Sequence, residues 1–332
     1  MEKKTVYRIL AMRFSSLGDV ALTVPLLAEF IRQNPHVQIT FLSREKFSPL
    51  FEDLPQLTFI SADLEGKHKG VRGIYRLYKE LRKNEFDGVA DLHNVLRTKI
   101  LRLFFAFGKV KSATLDKGRN ERKALTRLKN KIRKPLKPMI ERYADVFRDL
   151  GFDVQLSHRL PKNISTKENA IGIAPIAMYE GKMYPLENTR SIAVKIAEKG
   201  IKVYLFGGKS EAEELEKWAE INPNIVSVAG KFSLKEELSL IKKLKLMVSM
   251  DSANMHLASM VGTRVISIWG NTHPYMGFLG YGQSYEDVIQ DETLTQRPTS
   301  VFGKEPKKLK HLDYFKKIPP EMILEKVNAA IH

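Results

Sequence analysis

The sequence predicts an α/β protein made of two doubly wound domains facing one another across a cleft. Three observations predict it. Short β-branched, apolar runs alternate with helically spaced ones along the chain, the pattern of a parallel sheet covered on both faces. A polar stretch, Leu156–Glu168, carries Pro161 and interrupts the alternation near the middle. The 332 residues exceed what one domain usually holds, at about 100–200 residues each.

The elements follow in order. Thr5–Met12 reads as a buried strand. Asp19–Gln33 has helical spacing, with Val20, Val24, Leu27 and Ile31 on one face. Val37–Leu42, Leu57–Ile60 and Asp87–Leu92 are further strands; Gly70–Lys83, Asn94–Phe107 and Arg119–Lys131 read as helices. Beyond the polar break the alternation resumes. Strands are expected at Ala170–Ile176, Val203–Phe206, Ile225–Val228, Leu246–Ser249 and Arg264–Ile268. Helices are expected at Asn188–Lys199, Ser210–Ala219, Leu234–Leu244 and Ala253–Val261, with a last one at Pro319–Ile331. No repeat with a period of 20–50 residues is visible, which excludes a solenoid. The expected division is a basic domain over 1–160, a second domain over 161–318, and a terminal helix, 319–332, that could pack back on the first.

Composition excludes several classes. Apolar residues make up 43%, ordinary for a globular chain. With no cysteine, a disulfide scaffold, a thiolate metal site and a Cys nucleophile are all excluded. The longest strongly apolar stretch, Ile100–Phe107, is far short of the roughly 20 residues a bilayer core needs. Met1–Ala11 lacks a long apolar region, so no secretory signal is expected there.

Charge says more. The formal net charge is +17. Residues 1–160 hold 32 Lys+Arg against 18 Asp+Glu, and residues 161–332 hold 23 against 20. The densest run has ten bases and one acid, Glu121: Lys117, Arg119, Arg122, Lys123, Arg127, Lys129, Lys131, Arg133, Lys134 and Lys137. Such a field attracts polyanions: nucleic acid, an anionic membrane or a phosphorylated substrate. A helix here with Leu125, Leu128 and Ile132 on it suits an anionic membrane surface or the phosphorylated sugar core of a lipid.

Three segments carry chemistry. Arg13–Val20 (RFSSLGDV) follows the first strand and opens a helix. Gly18 permits a close backbone approach, Ser15 and Ser16 supply hydroxyls, and Asp19 lies at the first helical turn. Asp19 reads as an N-cap, as a carboxylate able to take a proton from a substrate hydroxyl, or as both. Met250–Gly262 is a strand–turn–helix junction. The free amides of Ser252, Ala253 and Asn254 form a ready phosphate site, and His256 stands in the first turn beside it. Gly181–Pro185 (GKMYP) places Lys182 in the loop after a strand, within reach of a phosphate.

Together these segments resemble the heptosyltransferases of bacterial lipopolysaccharide synthesis. These are inverting glycosyltransferases built of two Rossmann-like domains, the GT-B arrangement. RFSSLGDVALTVPLL resembles the family's N-terminal motif, whose Asp is the proposed general base; the role falls on Asp19. GKMYP resembles its Lys-x-Trp-Pro segment, so Lys182 would contact the donor phosphates, with Tyr184 in place of Trp. VYLFGG, with Gly207 and Gly208, and the turn at Gly230 resemble its nucleotide-side loops. DSANMHLASMVG resembles its donor-phosphate motif, covering Asp251, Ser252, Ala253, Asn254 and His256; Ala253 replaces the usual Gly. Asp91-Leu92-His93-Asn94 stands where the family has Asp-Leu-Gln-Gly, placing Asp91 and His93 with Ser15, Ser16 and Gly18 on the acceptor side.

The resemblance implies transfer of a sugar from a nucleotide-sugar donor, ADP-heptose or another, onto an anionic glycolipid. The place would be the inner face of the cytoplasmic membrane. No Asp-x-Asp occurs anywhere in the chain, so Lys182 and the Ser252–Asn254 amides would balance the leaving diphosphate in place of a divalent metal, and no cofactor is expected. Two readings compete. A nucleic-acid-binding protein would explain the charge, but Lys117–Lys137 has no aromatic residue for stacking on bases. A nucleotide-sugar epimerase on the same scaffold would leave the basic half unexplained.

Overall fold

The computed structural model describes residues 6–304, 307–309 and 312–331; Thr5 of the expected first strand and His332 lie outside them. The chain separates into two compact units. One comprises residues up to Lys117 together with Met139–Ser157, and the other Gly118–Pro138 together with His158 onward.

Up to Ser157 the elements are β1 (Tyr7–Met12), α1 (Leu17–Ala21), α2 (Thr23–Gln33), β2 (Val37–Ser43), β3 (Leu57–Ser61), α3 (Gly70–Leu81), β4 (Gly88–Asp91), α4 (Leu96–Phe107), β5 (Lys111–Thr114), α5 (Arg119–Thr126) and α6 (Met139–Leu150). Five parallel strands form the first sheet in the order β3-β2-β1-β4-β5, with Ile9 opposite Ile39 on one side and Gly88 on the other. Leu10, Met12 and Val89 pack with Leu77, Leu101 and Phe105 in one buried cluster. Full burial of such a side chain contributes about 1.5–3 kcal/mol.

The second unit adds β6 (Ala170–Ala174), α7 (Leu186–Ala197), β7 (Lys202–Leu205), α8 (Ala212–Ala219), β8 (Ile225–Ser227), α9 (Leu234–Lys243), β9 (Leu246–Met250), α10 (Ala253–Met260), β10 (Val265–Trp269), β11 (Val288–Gln290) and α11 (Pro320–Ile331). Its six parallel strands run in the order β11-β10-β9-β6-β7-β8. Every residue of β6, β9 and β10 is buried, as continuous apolar runs require when helices cover both faces.

Several sequence expectations are corrected. The helix expected over Asp19–Gln33 is two helices meeting at Leu22. Pro25 is the reason. Inside one long helix it would remove a hydrogen bond, whereas in the first turn of α2 its missing N–H has no intrahelical acceptor to lose. The helix expected from Asn94 starts at Leu96, because Asn94 adopts φ 48°. The helix expected over Arg119–Lys131 stops at Thr126. Arg119–Lys123 and Lys123–Arg127 are like-charge pairs four apart, which disfavour its continuation. Leu128 and Ile132 therefore lie beyond its end, and Leu125 is buried with Leu136 and Met276. Strands β5 and β11 and helix α6 have no counterpart in the expectations.

All of the basic run but Lys117 belongs with the second unit rather than the first. Apolar contacts hold it there: Leu125 and Leu136 pack on Met276, and the Arg122 guanidinium lies over the Phe278 ring at 4.8 Å. Lys131 donates to the carbonyls of Leu125 and Pro298, and Arg133 pairs with Glu292 at 3.0 Å. Six of its ten bases remain exposed: Arg119, Lys123, Arg127, Lys129, Lys134 and Lys137. Counted by unit, the first holds 22 Lys+Arg against 17 Asp+Glu and the second 33 against 21, so the larger excess lies in the second. The terminal helix also differs from expectation. α11 packs within the second unit, where Ile323 and Val327 join Ile192 and Ile196, and Lys195 pairs with Glu321 at 2.9 Å.

Candidate active site

In both sheets the strand order reverses once: between β1 and β4 in the first, and between β6 and β9 in the second. Open α/β sheets bind ligands beyond the carboxyl ends of strands at such a point. In each unit predicted residues stand there, Asp19, Asp91 and His93 after β1 and β4, and Lys182 and Asp251 after β6 and β9, whereas Gly207, Gly208 and Gly230 follow the neighbouring β7 and β8.

In the first unit, β1 ends at Met12 and the chain turns through Arg13–Ser16 into α1. The turn is pinned: the Ser43 hydroxyl donates to the Arg13 carbonyl, and Arg13 Nη1 donates to the Leu92 carbonyl at 2.6 Å. Arg13 Nη2 then sits 2.7 Å from Asp19 Oδ2. That oxygen also accepts from the Ser16 hydroxyl at 2.9 Å, and the Tyr143 hydroxyl of α6 lies 3.5 Å from Oδ1. Ser16, not Asp19, is the N-cap; Asp19 is the third residue of α1 and points back at it. Burial alone would lower the Arg13 pKa, but the neighbouring Tyr143 and Asp19 raise it on balance. Asp19 keeps 26% of its side chain exposed, so one face of the carboxylate stays open beside a fixed positive charge.

Beyond β4, Asp91 is fully buried and its oxygens are committed. One accepts from the backbone N–H groups of His93 and Asn94, and the other meets Arg102 at 3.0 Å. Asp91 thus shapes the loop and is shut off from a substrate. The His93 ring sits between the Phe14 N–H and the Ser15 hydroxyl, at 3.3 and 3.4 Å. Burial, with the Arg13 and Lys117 charges, lowers its pKa to about 3, so the ring is neutral near pH 7. Gly18 is buried inside α1.

In the second unit, Lys182 ends a short 3-10 turn after β6, and Asp251 follows β9. Lys182 Nζ lies 2.8 Å from Asp251 Oδ2 and donates to the Asp251 carbonyl at 3.1 Å. The amides of Ser252, Ala253 and Asn254 open α10 beside this pair. The Ser252 hydroxyl bonds Ser249 at 3.1 Å rather than capping the helix, which leaves the N-terminal amides for an anion. His256 is buried in α10. Gly207 and Gly208 follow β7, and Gly230 follows β8, its N–H bonded to the Gly207 carbonyl at 3.2 Å. Gly230 has φ +65°, and a Cβ there would meet Lys209 Cα at 2.8 Å, so this turn requires glycine. Tyr184 does not line the site: it is fully buried, and its hydroxyl donates to the Ile318 carbonyl.

Four residues of these neighbourhoods were not singled out by sequence. Arg13 and Tyr143 flank Asp19. Asn271, after β10, donates its backbone N–H to the Gly181 carbonyl and its side-chain amide to the Gly303 carbonyl, bracing the turn that carries Lys182. A Cβ on Gly303, at φ +93°, would strike the Lys182 side chain at 2.5 Å. Arg297 is fully buried, and its guanidinium donates to the carbonyls of Trp269, Gly270, Thr272 and Asp291, holding the 269–272 turn from behind. Burial lowers its pKa to about 10. Arg297 is one base among 55 Lys+Arg with no local pattern to mark it, whereas Arg13 opens the RFSSLGDV segment and its place in that pattern was the available signal.

The chain resembles known proteins along most of its length. Residues 74–302 match the profile of glycosyltransferase family 9 (heptosyltransferase). It is 25% identical to the lipopolysaccharide core heptosyltransferase OpsX of Haemophilus influenzae over 304 residues, covering 85% of each chain. With lipopolysaccharide heptosyltransferase 1 of Campylobacter coli it shares 26% identity, over 81% of this chain and 85% of the relative. Among solved structures, a glycosyltransferase of family 9 from Veillonella parvula superposes with a TM-score of 0.76 at 20% identity, over 100% and 98% of the two chains. ADP-heptose heptosyltransferase II of Escherichia coli gives 0.70 at 19%, over 98% of each. These structures share the GT-B heptosyltransferase fold with this chain. The profile spans well over half the sequence: the chain is a glycosyltransferase and belongs to family 9, the heptosyltransferases of lipopolysaccharide core synthesis.

Proposed function

We propose that this chain is an inverting, metal-independent transferase that moves a heptose from ADP-heptose onto an anionic lipopolysaccharide-core acceptor at the inner face of the cytoplasmic membrane. The observation that carries the reading is the placement of both predicted clusters at the points where their sheets reverse strand order. Family membership disfavours the nucleic-acid-binding and epimerase alternatives.

Each cluster suits one half of a single displacement. Asp19 is the general base: it takes the acceptor hydroxyl proton as that oxygen bonds to the anomeric carbon. Arg13 holds the carboxylate in place at 2.7 Å, and the Ser16 hydroxyl orients it. On the donor side, the bond from the anomeric carbon to the β-phosphate oxygen breaks, and its electron pair leaves with ADP. Lys182 and the Ser252–Asn254 amides balance that charge. Asp251 positions the ammonium before the donor arrives. A solved Escherichia coli relative, WaaC, is described with ADP-2-deoxy-2-fluoro heptose, which supports the choice of donor.

The test is to incubate the purified chain with ADP-heptose and a core acceptor lacking heptose, following ADP release and the anomeric configuration of the product. ADP release with inversion supports the reading. Retention, or turnover only with another nucleotide sugar, overturns it.

A further inference from the structure

Helices α3 and α4 lie side by side in the first unit, with Tyr75 meeting Phe104 edge-on at 5.3 Å. Their buried sides serve the core through Ile74, Leu77, Leu101 and Phe105. Their outward sides are unusual for a water-facing surface. Leu96, Leu103 and Phe107 recur at helical spacing along α4, with 72%, 54% and 76% of each exposed. Val71 and Tyr75 lie four apart on α3, at 60% and 46%. Isolated exposed apolar residues are normal, but a two-helix cluster of five is not.

The charges among them have one sign. α3 contributes Arg72, Arg76 and Lys79, and α4 contributes Arg97 and Lys99, while Arg102 turns inward to the buried Asp91. Glu80 is the sole acid of the two helices, and it is occupied by His68 and Lys67 at 3.2 and 3.4 Å. Lys79 lies over the Tyr75 ring at 5.0 Å, its ammonium among the aromatic groups. Apolar side chains set among Arg and Lys, with almost no acid, form the surface that lies in an anionic lipid interface: the apolar groups enter the acyl boundary and the cations meet the headgroups. No helix among the described residues is long and apolar enough to cross a membrane.

We propose that this α3–α4 face docks the enzyme on an anionic lipid bilayer. The inference deepens the proposed membrane-side role and rests on it, and it moves the contact away from the basic run at 117–137. Position gives it sense: α4 begins just after the Asp91–Asn94 turn, and Arg102 on α4 is the ion-pair partner of Asp91. Docking through α4 would hold the acceptor-side turn close to lipid-borne substrate.

The test is sedimentation of the full chain with vesicles of phosphatidylcholine alone or with a quarter phosphatidylglycerol, at low and physiological salt. Wild type should bind the anionic vesicles and not the neutral ones. Leu103→Ser with Phe107→Ser should weaken binding at least about tenfold. Arg72→Glu with Arg76→Glu should weaken it about fivefold or more per charge changed. Lys123→Ala with Lys129→Ala should leave it unchanged. Equal binding to neutral vesicles, no binding, or loss only in the Lys123/Lys129 variant overturns the proposal. ADP release from ADP-heptose with a soluble, lipid-free acceptor is measured on the same samples. Docking with no ADP release overturns the donor reading alone; ADP release without docking overturns the docking alone.

Discussion

Arg13 and Asp19 form a 2.7 Å ion pair in which the arginine is almost wholly buried and the aspartate is not. The asymmetry has a chemical consequence. The charge that fixes the carboxylate comes from inside the unit, while the carboxylate's open side faces outward. On the proposed reading, in which Asp19 is the base, a proton it takes up would arrive beside a permanent positive charge, which favours its release.

Asp19→Asn should lower kcat about 10²–10⁴-fold, because an amide accepts no proton, while ADP affinity stays at the wild-type level. The ion pair adds a second effect. Arg13 keeps a hydrogen-bond acceptor but loses its counter-charge, so stability should fall by about 1–3 kcal/mol. Rates and melting temperature measured on one sample separate the two. Normal turnover at lowered stability would leave Asp19 only a structural part.

Lys182→Ala should weaken ADP binding by about 1.5–3 kcal/mol, the range for a charge-assisted bond. Asp251 would then lie buried without its ammonium, next to an incoming diphosphate, which pushes the loss toward the upper end. Titration calorimetry with ADP reads this directly. Unchanged affinity would remove Lys182 from the donor site.

Excess EDTA should leave the transfer rate nearly intact. The expectation rests on the absence of Asp-x-Asp and on the cationic and amide groups at the end of β6 and the start of α10. Loss of activity, restored by magnesium or manganese, would overturn the metal-independent mechanism.

Acidification should destabilise the fold through two histidines. Burial and nearby cations lower the pKa of both His93 and His273 to about 3. In the unfolded chain each titrates near 6.5, so the unfolded state binds more protons in between. The stability they contribute is complete above about pH 6.5 and drains away as the pH falls toward 3. The melting temperature should therefore drop between pH 7 and 5, and more gently in a His93→Gln, His273→Gln double variant. An identical slope in that variant would refute the assignment.

Much of this was legible in the sequence, for reasons that particular residues make clear. Buried strands such as Ala170–Ala174 and Leu246–Met250 declare themselves because both faces are covered and nearly every position is apolar, Ser249 being the exception. Asp19, Lys182 and Asp251 stand in recognisable local patterns after strands. Tyr143 could not be placed: it reaches Asp19 only because the chain leaves the first unit and returns with α6. The basic run misled for a related reason. Charge along a sequence says how strongly a segment attracts anions, but Leu125 and Leu136 decide which core it joins. β5 (KSAT) is too short and polar to announce a strand; its pairing with β4 makes it one.

The route of the chain also bears on how the protein is made. Residues 118–138 leave the ribosome long before the unit to which they belong. Leu125 must wait for Met276, 151 residues later, which is on the order of ten seconds at ordinary rates of synthesis. Meanwhile α6 can close the first sheet, leaving a cationic loop hanging from a finished body until the second body captures it. A gene cut at Ser157 would accordingly not yield two self-sufficient halves. The first fragment would keep the loop with Leu125 and Leu136 uncovered, and the second would lack the chain that shields Met276 and Phe278.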